Sequence, residues 1–343
     1  MTRPVAQDSA AVAAPACKPR LGFLGVGWIG QSRMAAIAAS DIAEVALLCD
    51  SSAAIVTQAR NAAPEANIAG CFDDLLAADL DGIVIATPSA LHAEQSIRAL
   101  ERGLSVFCQK PLGRTAEEAR SVVSAARAAD RLLGVDLSYR FTAALRQLRA
   151  LLQSGALGEI YAADLVFHNA YGPDKAWFYD PALSGGGCVM DLGVHLVDSA
   201  LWLLGFPEVT SVSSRLFAGG RRLGPRPEVV EDYATARVDL ATGATLDLAC
   251  SWKLPAGQDC VFAMEFYGTK GGAAFRNLNG SFYDFVAEHY EGTRRTVLAQ
   301  PPDAWPGRAA VEWAGRLAEG QRFDARNEEL VRVAAVLDAI YQR

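Results

Sequence analysis

A chain of 343 residues is longer than one compact domain usually runs, so two domains around two cores are the first expectation. With 21% charged and 51% hydrophobic residues, the composition is that of a globular protein, neither disordered nor fibrous. A net charge of -7, with arginines scattered along the chain, provides no basic field for nucleic acid or anionic lipid.

No run approaches the roughly 18 apolar residues of a membrane span. Small molecules and copies of the same chain are therefore the expected partners. The first 19 residues, rich in Ala and broken by Pro15, read as a loose tail and not as a secretory signal. The seven cysteines are odd in number, widely spaced and free of CxxC pairs. They read as reduced core thiols, which places the protein in the cytoplasm.

From residue 20 strands and helices alternate at short intervals, the pattern of a parallel sheet with helices on both faces. RLGFLGVG is an apolar strand ending in glycines, and WIGQSRMAAIAAS follows with helical spacing. EVALLCD, GIVIATP, LSVFC and LLGVDL continue the strand series. Between them lie SSAAIVTQARNAA, then SALHAEQSIRALERG with Ser89 as N-cap and Gly103 as stop, and TAEEARSVVSAARAADR with a capping box at Thr115 and Glu118.

After about residue 139 the pattern changes to a helix, FTAALRQLRALLQSG, and longer strands of alternating polarity. Those strands predict a mainly antiparallel sheet with helices on one face, the other face open to a subunit partner. The pair spanning 232–252 turns at Thr242 and Gly243 as a hairpin. The expected fold class is thus α/β: a doubly wound parallel-sheet domain over 20–138, and an α+β domain over 139–343 whose open sheet suits oligomerisation.

Gly25-Val26-Gly27-Trp28-Ile29-Gly30 is G-x-G-x-x-G between a strand and a helix, the arrangement that brings backbone N–H groups to a pyrophosphate. Asp50 ends the next strand 20 residues after Gly30, where a carboxylate accepts from adenosine ribose hydroxyls. That carboxylate repels a 2'-phosphate, and Ser51 and Ser52 follow it in place of a neutralising arginine, so NAD is expected over NADP. Thr87 and Pro88, at the C-terminal end of a central strand, either line the nicotinamide side or form an ordinary turn. His92 follows on the next helix, as a cofactor neighbour or a structural residue.

Two further stretches carry chemistry. In VFCQKPLG, Lys110 stands where an apolar strand stops, and Pro111 fixes the turn, a cis bond being open to it. In GGGCVMDLGVHLVDSALWLLG, Gly185, Gly186 and Gly187 would let a ligand approach the start of a long helix. On that helix Asp191 and His195 are four apart and share a face, so the carboxylate could orient the imidazole as a proton acceptor. Cys188 lies on the same face, and a zinc reading of the three lacks a fourth ligand; no metal is expected.

Together these residues resemble the Gfo/Idh/MocA family of oxidoreductases, from residue 20 to nearly the end. The matching pieces are GVGWIG, ATPSALH, QKP at 109–111, SYRF at 138–141, WFYDPALSGGGCVMDLGVHLVD at 177–198, and the closing VLDAIYQR. The resemblance implies a Rossmann domain paired with an open-sheet domain that supports a dimer or tetramer. It also implies NAD(P)-dependent hydride transfer at a hydroxyl of a sugar, polyol or related alcohol.

It implies roles as well. Lys110 and Gln109 lie at the cofactor edge, Lys110 stabilises the alkoxide, His195 takes the proton, and Asp191 orients His195 and binds substrate. Gln109 departs from the family's usual glutamate. Losing a carboxylate there is expected to ease deprotonation of Lys110. Tyr139, Arg140, His168, Asn169, Tyr171 and Trp177 are candidate specificity residues, with core packing or surface as the alternative for each. Two other functions remain open on the same scaffold: a non-enzymatic NAD(P)-sensing regulator, which would need the glycine loop but not the Lys110, Asp191 and His195 set, and a cofactor-recycling glycosidase.

Overall fold

The computed structural model describes residues 18–224 and 228–343; most of the expected tail, with Cys17, lies outside them. The first half runs β1 (Arg20–Leu24), α1 (Trp28–Ser40), β2 (Glu44–Cys49), α2 (Ala53–Ala59), β3 (Asn67–Ile68), α3 (Phe72–Ala77), β4 (Gly82–Ile85), α4 (Ser89–Glu101), β5 (Ser105–Cys108), α5 (Ala116–Ala129) and β6 (Leu133–Val135). The six strands pair in parallel in the order β3-β2-β1-β4-β5-β6, the doubly wound Rossmann arrangement. β4 and β5 are buried along their whole length, which explains their unbroken apolar sequences.

Local signals set the helix ends. Thr115 Oγ1 accepts from the Glu118 N–H at 3.1 Å, and the Glu118 carboxylate accepts from the Arg114 N–H at 2.7 Å, one residue earlier than a closed capping box requires. Ser89 is the first helical residue of α4, with Pro88 in the N-cap position, so the expected cap is displaced by one residue.

The second half contains α6 (Ala143–Gln153), β7 (Ile160–Asn169), α7 (Pro181–Ser184), α8 (Val194–Leu203), β8 (Val209–Ala218), β9 (Arg221–Arg222), β10 (Tyr233–Leu240), β11 (Thr245–Ser251), β12 (Cys260–Gly268), β13 (Gly272–Asn277), β14 (Phe285–Glu291), β15 (Arg294–Ala299), α9 (Arg308–Ala318) and α10 (Glu328–Tyr341). Among the described residues its nine strands form one sheet, β15-β14-β13-β12-β7-β11-β10-β8-β9, antiparallel except where β7 meets β11. The hairpin expected at Thr242 and Gly243 joins β10 to β11.

One face of this sheet packs on α6, α8 and α10 in a core that includes Phe167, Leu196, Phe262 and Leu337. Its other face carries Asp164, Val166 and His168 of β7. Helix α9 returns to the parallel sheet, where Trp313 meets Phe107 with ring centroids 5.7 Å apart.

Candidate active site

The turn after β1 is built to receive something large against its backbone. Gly25 has φ of +83°, and a Cβ on Gly30 would collide with the Gly25 carbonyl, so helix and strand close tightly. A Cβ on Gly27 would meet nothing within 4 Å, so the middle of the loop faces open space. Trp28 opens α1 there, 77% exposed, with Ile29 beside it half-buried. Asp50 faces the same turn: Oδ2 accepts from the Val26 N–H and Oδ1 from the Ser52 N–H, each at 2.9 Å. Each oxygen retains acceptor capacity for a ribose hydroxyl, and Ser51 is exposed next to it. These donors and acceptors fit a dinucleotide.

The neighbouring strand ends are held internally. Thr87 Oγ1 donates to Gln95 Oε1 at 2.6 Å, and Pro88 leads into α4. His92 is buried, its two ring nitrogens each 2.7 Å from a carbonyl oxygen, those of Pro111 and Thr87. It therefore ties the β4 turn to the β5 turn and has no ring nitrogen left for a cofactor, which corrects its expected place among the cofactor contacts.

Gln109 is also corrected. Its amide donates to the Asp136 carboxylate, which Arg33 of α1 holds at 2.6 Å. The side chain is buried in that cluster, its amide N–H spent on the protein itself.

Lys110, joined to Pro111 by a cis bond, reaches across to the second half of the chain. Its Nζ donates to Oδ1 and to the backbone oxygen of Asp191, both at 2.7 Å. Asp191 lies in a π-turn, Val189–Gly193, that opens directly into α8. Its other oxygen, Oδ2, accepts from Trp252 Nε1 at 3.0 Å.

Both Asp191 oxygens are thus engaged, and no hydrogen bond joins Asp191 to His195 among the described residues. The expectation that Asp191 orients His195 is corrected accordingly: Asp191 orients Lys110. His195 is 8% exposed and packs edge-on against Tyr139 with centroids 4.8 Å apart. Burial, and after it the charges of Lys110 and Arg33, hold His195 well below the ordinary imidazole range, so its ring is neutral at pH 7. No group of three or more potential metal ligands occurs among the described residues; Cys188 instead directs its thiol at the Cys250 carbonyl, 3.5 Å away.

The glycine run before Asp191 serves the fold. A Cβ on Gly187 would overlap the carbonyl oxygen of Glu231, and one on Gly186 would overlap the Tyr341 hydroxyl. The carboxylate of Glu231 accepts from the N–H groups of Gly187 and Val189 at 3.0 and 2.9 Å and from Tyr341 Oη at 2.7 Å. The helix start expected to admit a ligand is occupied by the chain's own buried acid.

The specificity candidates separate by position. Tyr139 lines the site against His195, Phe167 and Trp305. Asn169 is on the same face of β7 as Phe167, its Oδ1 buried without a partner among the described residues. Trp177 stacks on Phe178, which meets Trp252, so the segment following β7 covers the Asp191 side.

His168 is corrected. Strand alternation puts it on the sheet's open face, where Nδ1 bonds Ser251 Oγ at 2.7 Å and the ring stacks on Tyr233. Arg140 is corrected too: it is paired with Asp198 at 2.6 Å and lines a different cleft. Tyr171 bonds Asp259 at an exposed position. Sequence reasoning missed Trp252 and Arg33. Only the β7–β11 register and the packing of α1 bring them in.

Residues 20–137 match the family profile described as an oxidoreductase family with an NAD-binding Rossmann fold, and residues 145–274 match the GFO/IDH/MocA C-terminal domain. D-glucoside 3-dehydrogenase of Escherichia coli K12 is 32% identical over 247 residues, covering 67% of this chain and 69% of that protein. The rhizopine catabolism protein MocA of Rhizobium meliloti is 32% identical over 295 residues, covering 82% and 89%. In three dimensions, levoglucosan dehydrogenase in complex with NADH and levoglucosan superimposes with a TM-score of 0.81 at 22% identity, covering 95% of this chain and 97% of the other, which shows the shared fold.

The protein is an oxidoreductase with an NAD-binding Rossmann sheet and a second, open-sheet unit facing it. The chain belongs to the Gfo/Idh/MocA family.

Proposed function

We propose that the protein oxidises, reversibly, a hydroxyl of a sugar, polyol or related small polar alcohol with NAD. The observation that carries this reading is the Lys110 ammonium, fixed by two bonds to Asp191 beside a neutral, buried His195. Residues 20–138 form the cofactor unit and 139–343 the substrate and assembly unit. The backbone of residues 25–30 would hold the pyrophosphate and Asp50 the ribose, which favours NAD over NADP. The nicotinamide, when bound, accepts the hydride.

The remaining chemistry belongs to the chain. His195, already neutral, takes the hydroxyl proton. Lys110 has three N–H groups and spends two on Asp191, so the third donates to the developing alkoxide. Trp252 and Asp191 keep that ammonium in place. Tyr139, Asn169 and Trp177 bound the substrate. Free thiols at the described cysteines suit a reducing, cytoplasmic setting. A sensor would need only the glycine loop; the bonds spent on Lys110 favour catalysis.

Lys110→Ala and His195→Ala should each lower turnover by about 10²–10³ while leaving NADH affinity unchanged. Full activity in both would overturn the assignment. Because His195 sits well below 6.5, the acid limb of the oxidation rate should also lie below pH 6.5; a limb above it would remove His195 as the base.

A further inference from the structure

A cleft of about 620 Å3 opens away from Lys110 and His195, between β5 and β6 of the parallel sheet, α6 and Trp202 of the second unit, and the returning helix α9. Five arginines line it, and four of them have carboxylate partners. Arg140 is held by Asp198 and Glu329, and Arg146 by Glu312 at 3.0 Å. Asp324 serves both Arg316 at 2.9 Å and Arg326 at 2.7 Å.

Arg149 has no carboxylate partner among the described residues. Its guanidinium lies 4.0 Å from the centre of the Trp202 ring, and its Nε is buried without a hydrogen-bond partner. Trp313 Nε1, from the α9 side of the cleft lining, is a second buried donor with none. No hydrogen bond from any Arg149 nitrogen occurs among the described residues, so its guanidinium offers the cleft free N–H groups and the complementary occupant must bring acceptors. One guanidinium, that of Arg149, is left over when the carboxylates are paired, which favours a negative occupant, and the volume is that of a small-molecule site. Burial and the neighbouring charge of Arg140 lower the Arg149 pKa from its usual value, the condition an anion would relieve.

We propose that this cleft binds a small oxyanion, a carboxylate- or phosphate-bearing metabolite, with Arg149 as its main contact. The site is distinct from the hydroxyl-oxidising centre, and it touches both halves of the chain where they join. The test is calorimetric titration of the enzyme saturated with NAD, which blocks the pyrophosphate cradle, using inorganic phosphate and, separately, citrate at constant ionic strength, with chloride as control.

The expected result is saturable binding of one anion per chain, weakened about tenfold or more in Arg149→Gln and less in Arg149→Lys, with sugar turnover of both variants unchanged in anion-free buffer. Saturation by phosphate alone would identify a phosphorylated ligand, and by citrate alone a carboxylate. Absence of saturable binding by either, or equal affinity in wild type and both variants, would overturn the proposal.

Discussion

At the scale of single residues, Gln109 belongs to a buried cluster that joins the β5 end to α1. Its amide is a neutral donor to Asp136, whose carboxylate already neutralises the buried Arg33. A carboxylate at this position would put two acids against one guanidinium in a site with little water. Gln109→Glu should therefore be about 1–3 kcal/mol less stable at neutral pH. The folded state would favour the protonated form of the introduced carboxyl, which can still donate to Asp136, so its folded pKa lies above the ordinary glutamate value of about 4.3. The deficit is then absent below that value and grows as pH rises through it. Melting temperatures of wild type and variant from pH 4 to 8 check this; a deficit that is constant with pH would refute it. The chemistry-bearing residues Gly25, Asp50 and Lys110 were legible in the sequence because their meaning depends on a local strand end or turn. Trp252 was not, because its bond to Asp191 depends on β11 pairing with β7 across a long stretch of chain.

At the scale of elements, the start of the catalytic helix shows what a motif alone conceals. Three glycines before a helix read equally well as a ligand cradle or as a close internal approach. Here the approach is internal: Glu231 is fully buried, and its carboxylate accepts from the N–H groups of Gly187 and Val189, where the chain enters the Val189–Gly193 turn that presents Asp191. Gly187→Ala should shift that turn, lower stability by more than about 2 kcal/mol, and reduce turnover through Asp191 and Lys110. Thermal unfolding together with the turnover rate reads both effects, and an unchanged melting temperature would show that the turn yields without cost. The strand β7 carries the companion lesson. Its alternation was visible in the sequence, but which parity faced the helices was not, so His168, expected among the specificity residues, lies on the open face.

At the scale of the molecule, the nine-stranded sheet has helices on one face only among the described residues. The centre of its open face is an apolar row, Ala249 of β11, Val166 of β7 and Ala263 of β12, in direct register. Around it the polar side chains are already paired with one another: Tyr267 with Asp164 and Glu265, Arg237 with Asp247, and Arg276 with Glu288. Self-satisfied polar groups around an apolar centre are what a second copy of the same face can cover at little desolvation cost. Light scattering of the purified protein should therefore give a dimer or tetramer, and Val166→Arg, which places like charges opposite each other across a two-fold contact, should give a lower-order species with NADH affinity retained. The row is remote from Asp50 and Gly27, so loss of affinity along with mass would indicate unfolding and not dissociation. A wild-type mass of one chain, or an unchanged mass in a folded Val166→Arg variant, would place the assembly surface elsewhere.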